Sequence, residues 1–308
     1  MLQRYVALIA LFSVSIATLS AMPIPREMKD TVAFLFTDTS PSNYIPLGTC
    51  FFVGAPHPIN DKMAFAYLVT ARHVLQTPDQ KSWLKFCYVR LNTTGGGSEY
   101  HLLSIVPEGP KRNVFVHPDP TVDLAVMPLT FPLSVYDQKF IPLEMLTKKE
   151  EIASLEIAEG TDLLFVGMFV PHLGQVRNQP IVRFGKLAML TTDKVITPLG
   201  NAEVFLAEAS AYGGNSGSPA FFWLGADRKP GQLSLGGPAI KVAGVVQFHF
   251  NDLLPINFVA QGTTPIVSPN NGICGIVPSY LIKDIIDGPD LYGKRLNAVA
   301  AEPQTRKK

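Results

Sequence analysis

One stretch of the chain has the residue types for acyl-transfer chemistry: Tyr212-Gly-Gly-Asn-Ser-Gly-Ser-Pro219. A serine hydroxyl is a poor nucleophile at neutral pH. It needs a neighbouring base and a place for the negative charge that develops when it attacks a carbonyl. Glycines on both sides of Ser216 let the backbone turn tightly and aim its N–H groups inward. The N–H groups of Gly214 and Ser216 are the candidates for an oxyanion hole. The same composition also makes an ordinary loop, so the reading turns on whether Ser216 has partners.

The base must be a histidine, or less often a lysine, brought close by the fold. There are six histidines. His57 and His172 sit in proline-containing loops, and His101, His117 and His249 at strand ends. His73 differs, because it directly follows a strongly apolar strand ending in Thr70-Ala71. That placement holds a side chain at the rim of a β-structure. The base then needs a carboxylate to fix its tautomer. Asp123 opens the buried run Leu124-Ala-Val-Met127, where a charge without a partner is costly. Asp119 lies between two prolines and reads as a turn residue.

Thr70-Ala-Arg-His73, Asp123-Leu-Ala-Val126 and Gly213-Gly-Asn-Ser-Gly-Ser-Pro219 resemble the three motifs of the trypsin-like (chymotrypsin-fold) serine peptidases, in that family's order of His, Asp, Ser. Leu47-Gly-Thr-Cys-Phe-Phe-Val53 resembles the strand before the histidine turn. Asn271-Gly-Ile-Cys-Gly-Ile-Val-Pro-Ser279 resembles the closing segment of bacterial members. The resemblance covers roughly residues 31–286 and is nearest to bacterial enzymes, including the glutamyl endopeptidase group. It implies an all-β fold of two six-stranded antiparallel β-barrels with a C-terminal helix. The site would lie between them, with His73 and Asp123 from the first and Ser216 from the second. On this resemblance Ser216 would attack, His73 would carry the proton, and the Gly214 and Ser216 N–H groups would hold the oxyanion.

The chain also departs from the family pattern. Asn215 stands before the serine where many animal members have an aspartate that pairs with a newly released N-terminus. Activation of that kind is therefore not expected. Counting back from Ser216 places the base of the substrate pocket at Ser210-Ala211, and its wall near Gln247, Phe248 and His249. Neither base residue is acidic, so a preference for Lys or Arg is unsupported and a small or apolar residue is expected before the cut. The order of the triad excludes an α/β-hydrolase, in which serine comes first. The rival reading is a catalytically silent relative that binds a partner.

These side chains need rigid elements to hold them. Between residues 31 and 140, short apolar runs fall at Thr31–Phe36, Leu47–Val53, Phe65–Thr70, Leu84–Leu91, His101–Val106, Asn113–His117 and Asp123–Leu129, the pattern of a barrel or sandwich. Residues 54–62 read as a turn-rich connection, and Asn92–Ser98 as a hairpin loop. Lys148–Leu155 reads as a surface helix in a linker, with Lys148 to Glu151 as a solvated face. A second strand series spans residues 156–287 and ends in a packing helix at Tyr280–Ile286, where Leu281, Ile282, Ile285 and Ile286 recur at helical spacing. Gly225–Ile240 and Asn251–Asn271 read as long loops, and residues 288–308 as a disordered polar tail.

Residues 1–21 carry Arg4, an apolar run from Tyr5 to Leu19 and then Ser20-Ala21, the pattern of a secretory signal peptide; an uncleaved membrane anchor is the alternative. A secreted or periplasmic protein is expected. The net charge of +1 argues against an electrostatic grip on nucleic acid, and a protein or peptide is the expected partner. The three cysteines, Cys50, Cys87 and Cys274, read as buried thiols. No spacing suggests a metal site, and no cofactor is called for.

Overall fold

Strand β1 (Val32–Asp38) shows why its sequence begins with five apolar residues: it is covered on both faces. Successive side chains of a strand point to opposite sides. Ala33 and Leu35 join one core with Cys50, Phe52 and Leu68, while Val32, Phe34 and Phe36 join another with Phe51, Val53 and Val69. The computed structural model describes residues 23–38, 40, 43–197, 199–225, 239–251, 254–255, 266–267 and 270–301. The expected signal peptide, residues 1–21, lies outside the described residues.

The first half continues with β2 (Tyr44–His57), β3 (Asn60–Thr70), β4 (Phe86–Asn92), β5 (Ser98–Ser104), β6 (Phe115–Val116), β7 (Ala125–Pro128) and β8 (Ile141–Pro142). They form one eight-stranded sheet in the order β5-β4-β1-β2-β3-β7-β6, with β8 parallel to β2. Where a six-stranded barrel was expected, these strands form an eight-stranded sheet that pairing among the described residues does not close. Between β5 and β6 the Asn113 and Val114 N–H groups donate to Val106 O, and the Asn113 side chain adds two bonds. Asn113 Nδ2 donates to Ser104 O at 2.8 Å, and Asn113 Oδ1 accepts from the Val106 N–H at 2.9 Å. The two-residue β6 is too short to carry the pairing further. The expected connection at residues 54–62 is instead mostly strand: β2 runs to His57 and β3 starts at Asn60, joined by a tight turn.

The second half holds β9 (Asp162–Gly167), β10 (Ile181–Met189), β11 (Val195–Thr197), β12 (Gly200–Ala202), β13 (Phe205–Glu208), β14 (Pro219–Leu224), β15 (Ala239–Asn251), β16 (Leu254–Pro255), β17 (Ile266–Val267) and β18 (Asn270–Pro278). Six of them close a barrel in the order β10-β13-β18-β15-β14-β9. Leu163, Phe165, Phe205, Phe222 and Val246 fill it. Leu164, Val166, Phe221 and Val245 point the other way and pack with Phe51, Val53 and Val69 of the first sheet. The two halves therefore share a buried core, which fixes their relative position at ordinary protein packing density. Most of the two expected long loops lies outside the described residues.

Among the described residues there are four α-helices: α1 (Arg26–Asp30), α2 (Glu151–Ser154), α3 (Ser279–Ile286) and α4 (Pro289–Ala301). Helix α3 buries Leu281, Ile282, Ile285 and Ile286, the four residues that recur at helical spacing. Helix α4 corrects the expected disordered tail over residues 289–301. It is polar and buries only Leu291 and Arg295, but Arg295 donates to Ile286 O (2.6 Å), Asp287 Oδ1 (2.9 Å) and Tyr67 Oη (3.2 Å). Arg112 pairs with Asp290, and the Arg112 and Lys294 cations lie over the Phe115 ring. The expected solvated face at Lys148–Glu151 is also corrected in part: Lys149 pairs with Glu203 and Glu151 with Lys241, which ties the linker to the second half. All three cysteines are free and buried, and burial pushes the Cys87 thiol up to about 12. Among the described residues no helix is long and apolar enough to cross a membrane.

Candidate active site

His73 stands on a 3-10 turn, Arg72–Leu75, that starts where β3 ends. Val74 and Leu75 are buried and anchor the turn, leaving the His73 ring partly exposed. Asp123 comes from the other side, just before β7. The turn that delivers it is built by Asp119, whose carboxylate accepts from the Thr121 N–H (2.9 Å) and hydroxyl (2.7 Å). Those two bonds and Lys194 hold the Asp119 carboxyl down at about 2. Asp119 thus has the turn role expected of it.

Asp123 is 1% exposed. Its Oδ2 lies 2.5 Å from His73 Nδ1, and its Oδ1 accepts from the His73 backbone N–H at 2.9 Å. The Asp123 carbonyl also accepts from the Arg72 N–H at 3.3 Å. Side chain and backbone of the same histidine therefore converge on one buried carboxylate. With Nδ1–H engaged by a carboxylate, Nε2 is the nitrogen left to accept a proton.

Ser216 lies on the loop between β13 and β14, and its exposure is intermediate. Its hydroxyl donates to Gln247 O at 3.1 Å; among the described residues no hydrogen bond joins it to His73. The Gly214 and Ser216 N–H groups have no protein acceptor among the described residues, whereas Asn215, Gly217 and Ser218 donate to Tyr212, Val246 and Asn215. Gly214 has φ +92°, and a Cβ there would meet Val170 at 2.7 Å. Gly217 has φ +86°, and its Cβ would lie 2.0 Å from Thr49 O and 2.4 Å from Thr70 Oγ1. Both glycines are required by conformation and by close approach.

The loop is docked on β2 through Thr49, a strand residue to which the sequence assigned no role of its own. The Thr49 N–H donates to Ser216 O at 2.9 Å, and its hydroxyl to Gly214 O at 2.7 Å. The same hydroxyl accepts from the Met168 N–H at 3.0 Å. Thr70 Oγ1 donates to Thr49 O at 2.7 Å. Asn215 is 1% exposed; its Oδ1 accepts from the Tyr212 N–H and its Nδ2 donates to Met168 O at 2.7 Å. A sequence signal for Thr49 existed: a hydroxyl inside an apolar strand must find a partner.

The proposed pocket residues fall on two segments, the loop after β13 and strand β15. Ser210 is exposed and Ala211 buried, and the Ala211 carbonyl accepts from Asn270 Nδ2. Gln247, Phe248 and His249 follow one another on β15. Gln247 is 3% exposed, and its Oε1 has no hydrogen-bond partner. Phe248 lies against Gly275 of β18, where a Cβ would come within 2.5 Å of the ring. His249 pairs in register with Cys274. The remaining histidines have other partners: His57 stacks on Phe65, His101 and His117 lie near Glu99 and Asp284, and His172 meets Gln179. Among the described residues no group of three or more metal-ligating side chains occurs.

No protein-family model matches the sequence, and no curated protein matches it either. Solved structures do. The protease domain of MamO from Magnetospirillum magneticum is 14% identical, with a TM-score of 0.48 over 84% of this chain and 97% of that one. Rv3671c from M. tuberculosis H37Rv, in an inactive form, is 13% identical, with a TM-score of 0.41 over 90% of this chain and 91% of that one. The thermostable serine protease AL20 from an extremophilic microorganism is 12% identical, with a TM-score of 0.46 over 86% of this chain and 97% of that one. Each of these is a structure to which the chain is similar.

Proposed function

We propose that the chain is a serine endopeptidase that hydrolyses peptide bonds through His73, Asp123 and Ser216. The observation that supports this most is the double contact of Asp123 with His73, at Nδ1 and at the backbone N–H, beside a serine loop with two N–H groups that have no acceptor among the described residues. The Ser216 hydroxyl would leave Gln247 O and turn to His73 Nε2. His73 takes its proton as Oγ attacks the scissile carbonyl, and Asp123 stabilises the imidazolium. The Gly214 and Ser216 N–H groups receive the oxyanion. Collapse of the tetrahedral adduct expels the amine, which takes the proton from His73 and leaves an acyl-enzyme on Ser216. Water then repeats the sequence and frees the enzyme.

Ser210, Ala211, Gln247, Phe248 and His249 form the proposed pocket for the side chain before the cut. Its lack of a carboxylate favours a small or apolar residue. Residues 1–21 are proposed as the export signal, giving a secreted or periplasmic enzyme. The direct test is labelling by a fluorophosphonate, with casein cleavage measured in parallel. Labelling confined to Ser216, and absent in Ser216→Ala, is expected.

One observation favours a second reading, a catalytically silent relative that binds a partner: the Ser216 hydroxyl rests on Gln247 O rather than on His73. Folded protein that resists the probe at pH 8 would favour that reading.

A further inference from the structure

Three hydrogen bonds and one peptide link form a closed circuit through Thr49. The Thr49 hydroxyl donates to Gly214 O at 2.7 Å and accepts from the Met168 N–H at 3.0 Å. Gly214 is joined covalently to Asn215, whose Nδ2 donates to Met168 O at 2.7 Å. Met168 thus uses both of its backbone groups here, one on each of these side chains. The direction of every bond is fixed by chemistry, because an N–H only donates and a carbonyl only accepts. The residue at 49 must therefore both donate and accept, which a hydroxyl does. The residue at 215 must donate to Met168 O while accepting from the Tyr212 N–H (2.9 Å), which an amide does and a carboxylate cannot. The circuit is buried: Thr49 is 0% exposed and Asn215 1%. In such surroundings an unpaired polar group is costly, so these bonds strongly prefer one arrangement.

The circuit acts on the proposed oxyanion hole. It holds the carbonyl of Gly214, while the Thr49 N–H holds the carbonyl of Ser216 at 2.9 Å. These are the carbonyls of the two residues whose N–H groups have no acceptor among the described residues. Gly48 permits the approach, since a Cβ there would come within 2.9 Å of Ser216 O. We infer that Thr49 is a positioning residue for the oxyanion hole, acting through the Gly214 and Ser216 carbonyls, and that Asn215 completes an uncharged lock on that loop. This inference rests on the peptidase reading. It also gives Asn215 a role: an amide is needed where aspartate would leave Met168 O without a donor.

The test compares fluorophosphonate labelling rates at pH 8 in wild type, Thr49→Val, Thr49→Ser and Asn215→Asp, with thermal midpoints measured alongside. Thr49→Val keeps the shape and loses the hydroxyl; its labelling rate is expected to fall at least tenfold. Thr49→Ser keeps the hydroxyl and is expected to label within about threefold of wild type, a rescue that a packing role for the Thr49 methyl would not produce. Asn215→Asp is expected to lose at least tenfold, because its ionised carboxyl cannot donate. A folded Thr49→Val that labels at the wild-type rate overturns the inference. Should Thr49→Val not fold, Asn215→Asp decides in its place, and wild-type labelling there overturns the inference equally. Wild type that never labels overturns the peptidase reading instead, and the inference with it.

Discussion

Asp123 is held by the two N–H groups of one histidine while almost wholly removed from water. A carboxylate in that position is favoured only while both contacts persist. Asp123→Asn keeps the volume but presents an amide, which can hold His73 in the wrong tautomer. Its fluorophosphonate labelling rate is expected to fall by about 10³-fold or more; a loss under tenfold would remove Asp123 from the proposed triad. Gly217 makes a stability prediction at the same scale. Its φ of +86° and the clash that a Cβ there would make with Thr49 O predict that Gly217→Ala loses about 3 kcal/mol or more. Urea unfolding would measure it, and a change below about 1 kcal/mol would contradict the close docking of this loop on β2. Asp119 gives a pH prediction. Its carboxyl is lowered from the ordinary 3.8 to about 2 by the Thr121 bonds, with Lys194 adding to them. A depressed folded-state pKa means that its stabilisation is present above pH 3.8 and fades as the pH falls toward 2. NMR titration of the Asp119 carboxyl carbon should give a midpoint near 2, and a midpoint at 3.8 would contradict the turn geometry.

Elements differ in how clearly the sequence announces them. Strands such as β1 and β9 are legible because burial on both faces leaves uninterrupted apolar runs. Strand β18, the member that joins β13 to β15, is harder to read. It carries Gly272 and Gly275, and the second is there because Phe248 of β15 lies across it. Helix α4 was least legible, because it is held by polar contacts rather than by an apolar face. Arg295 is its anchor, so Arg295→Ala should lower unfolding free energy by about 2 kcal/mol or more through the lost bonds to Ile286 O and Asp287. Chemical denaturation is the measurement, and an unchanged midpoint would mean that α4 contributes little to the fold. The candidate site divides in the same way. His73, Asp123 and Ser216 are marked by their immediate neighbours in sequence, whereas Thr49 matters through Gly214, 165 residues away. No local pattern encodes such a contact.

At the scale of the whole molecule, an open eight-stranded sheet and a closed six-stranded barrel share one buried core. The first half carries His73, Asp123 and Thr49; the barrel half carries Ser216, Gly214 and the proposed pocket residues. Bonds from Thr49 to Gly214, Ser216 and Met168 cross directly between the halves, so the site is assembled by the same contacts that join them. The central claim is that Ser216 is a nucleophile activated by His73. Its most direct measurement is mass spectrometry of fluorophosphonate-treated protein at pH 8, for wild type, Ser216→Ala and His73→Ala. The account predicts a single adduct on Ser216 in wild type, none in Ser216→Ala and labelling slowed by orders of magnitude in His73→Ala; wild type that stays folded and unmodified, or an adduct that forms equally fast without His73, would contradict it.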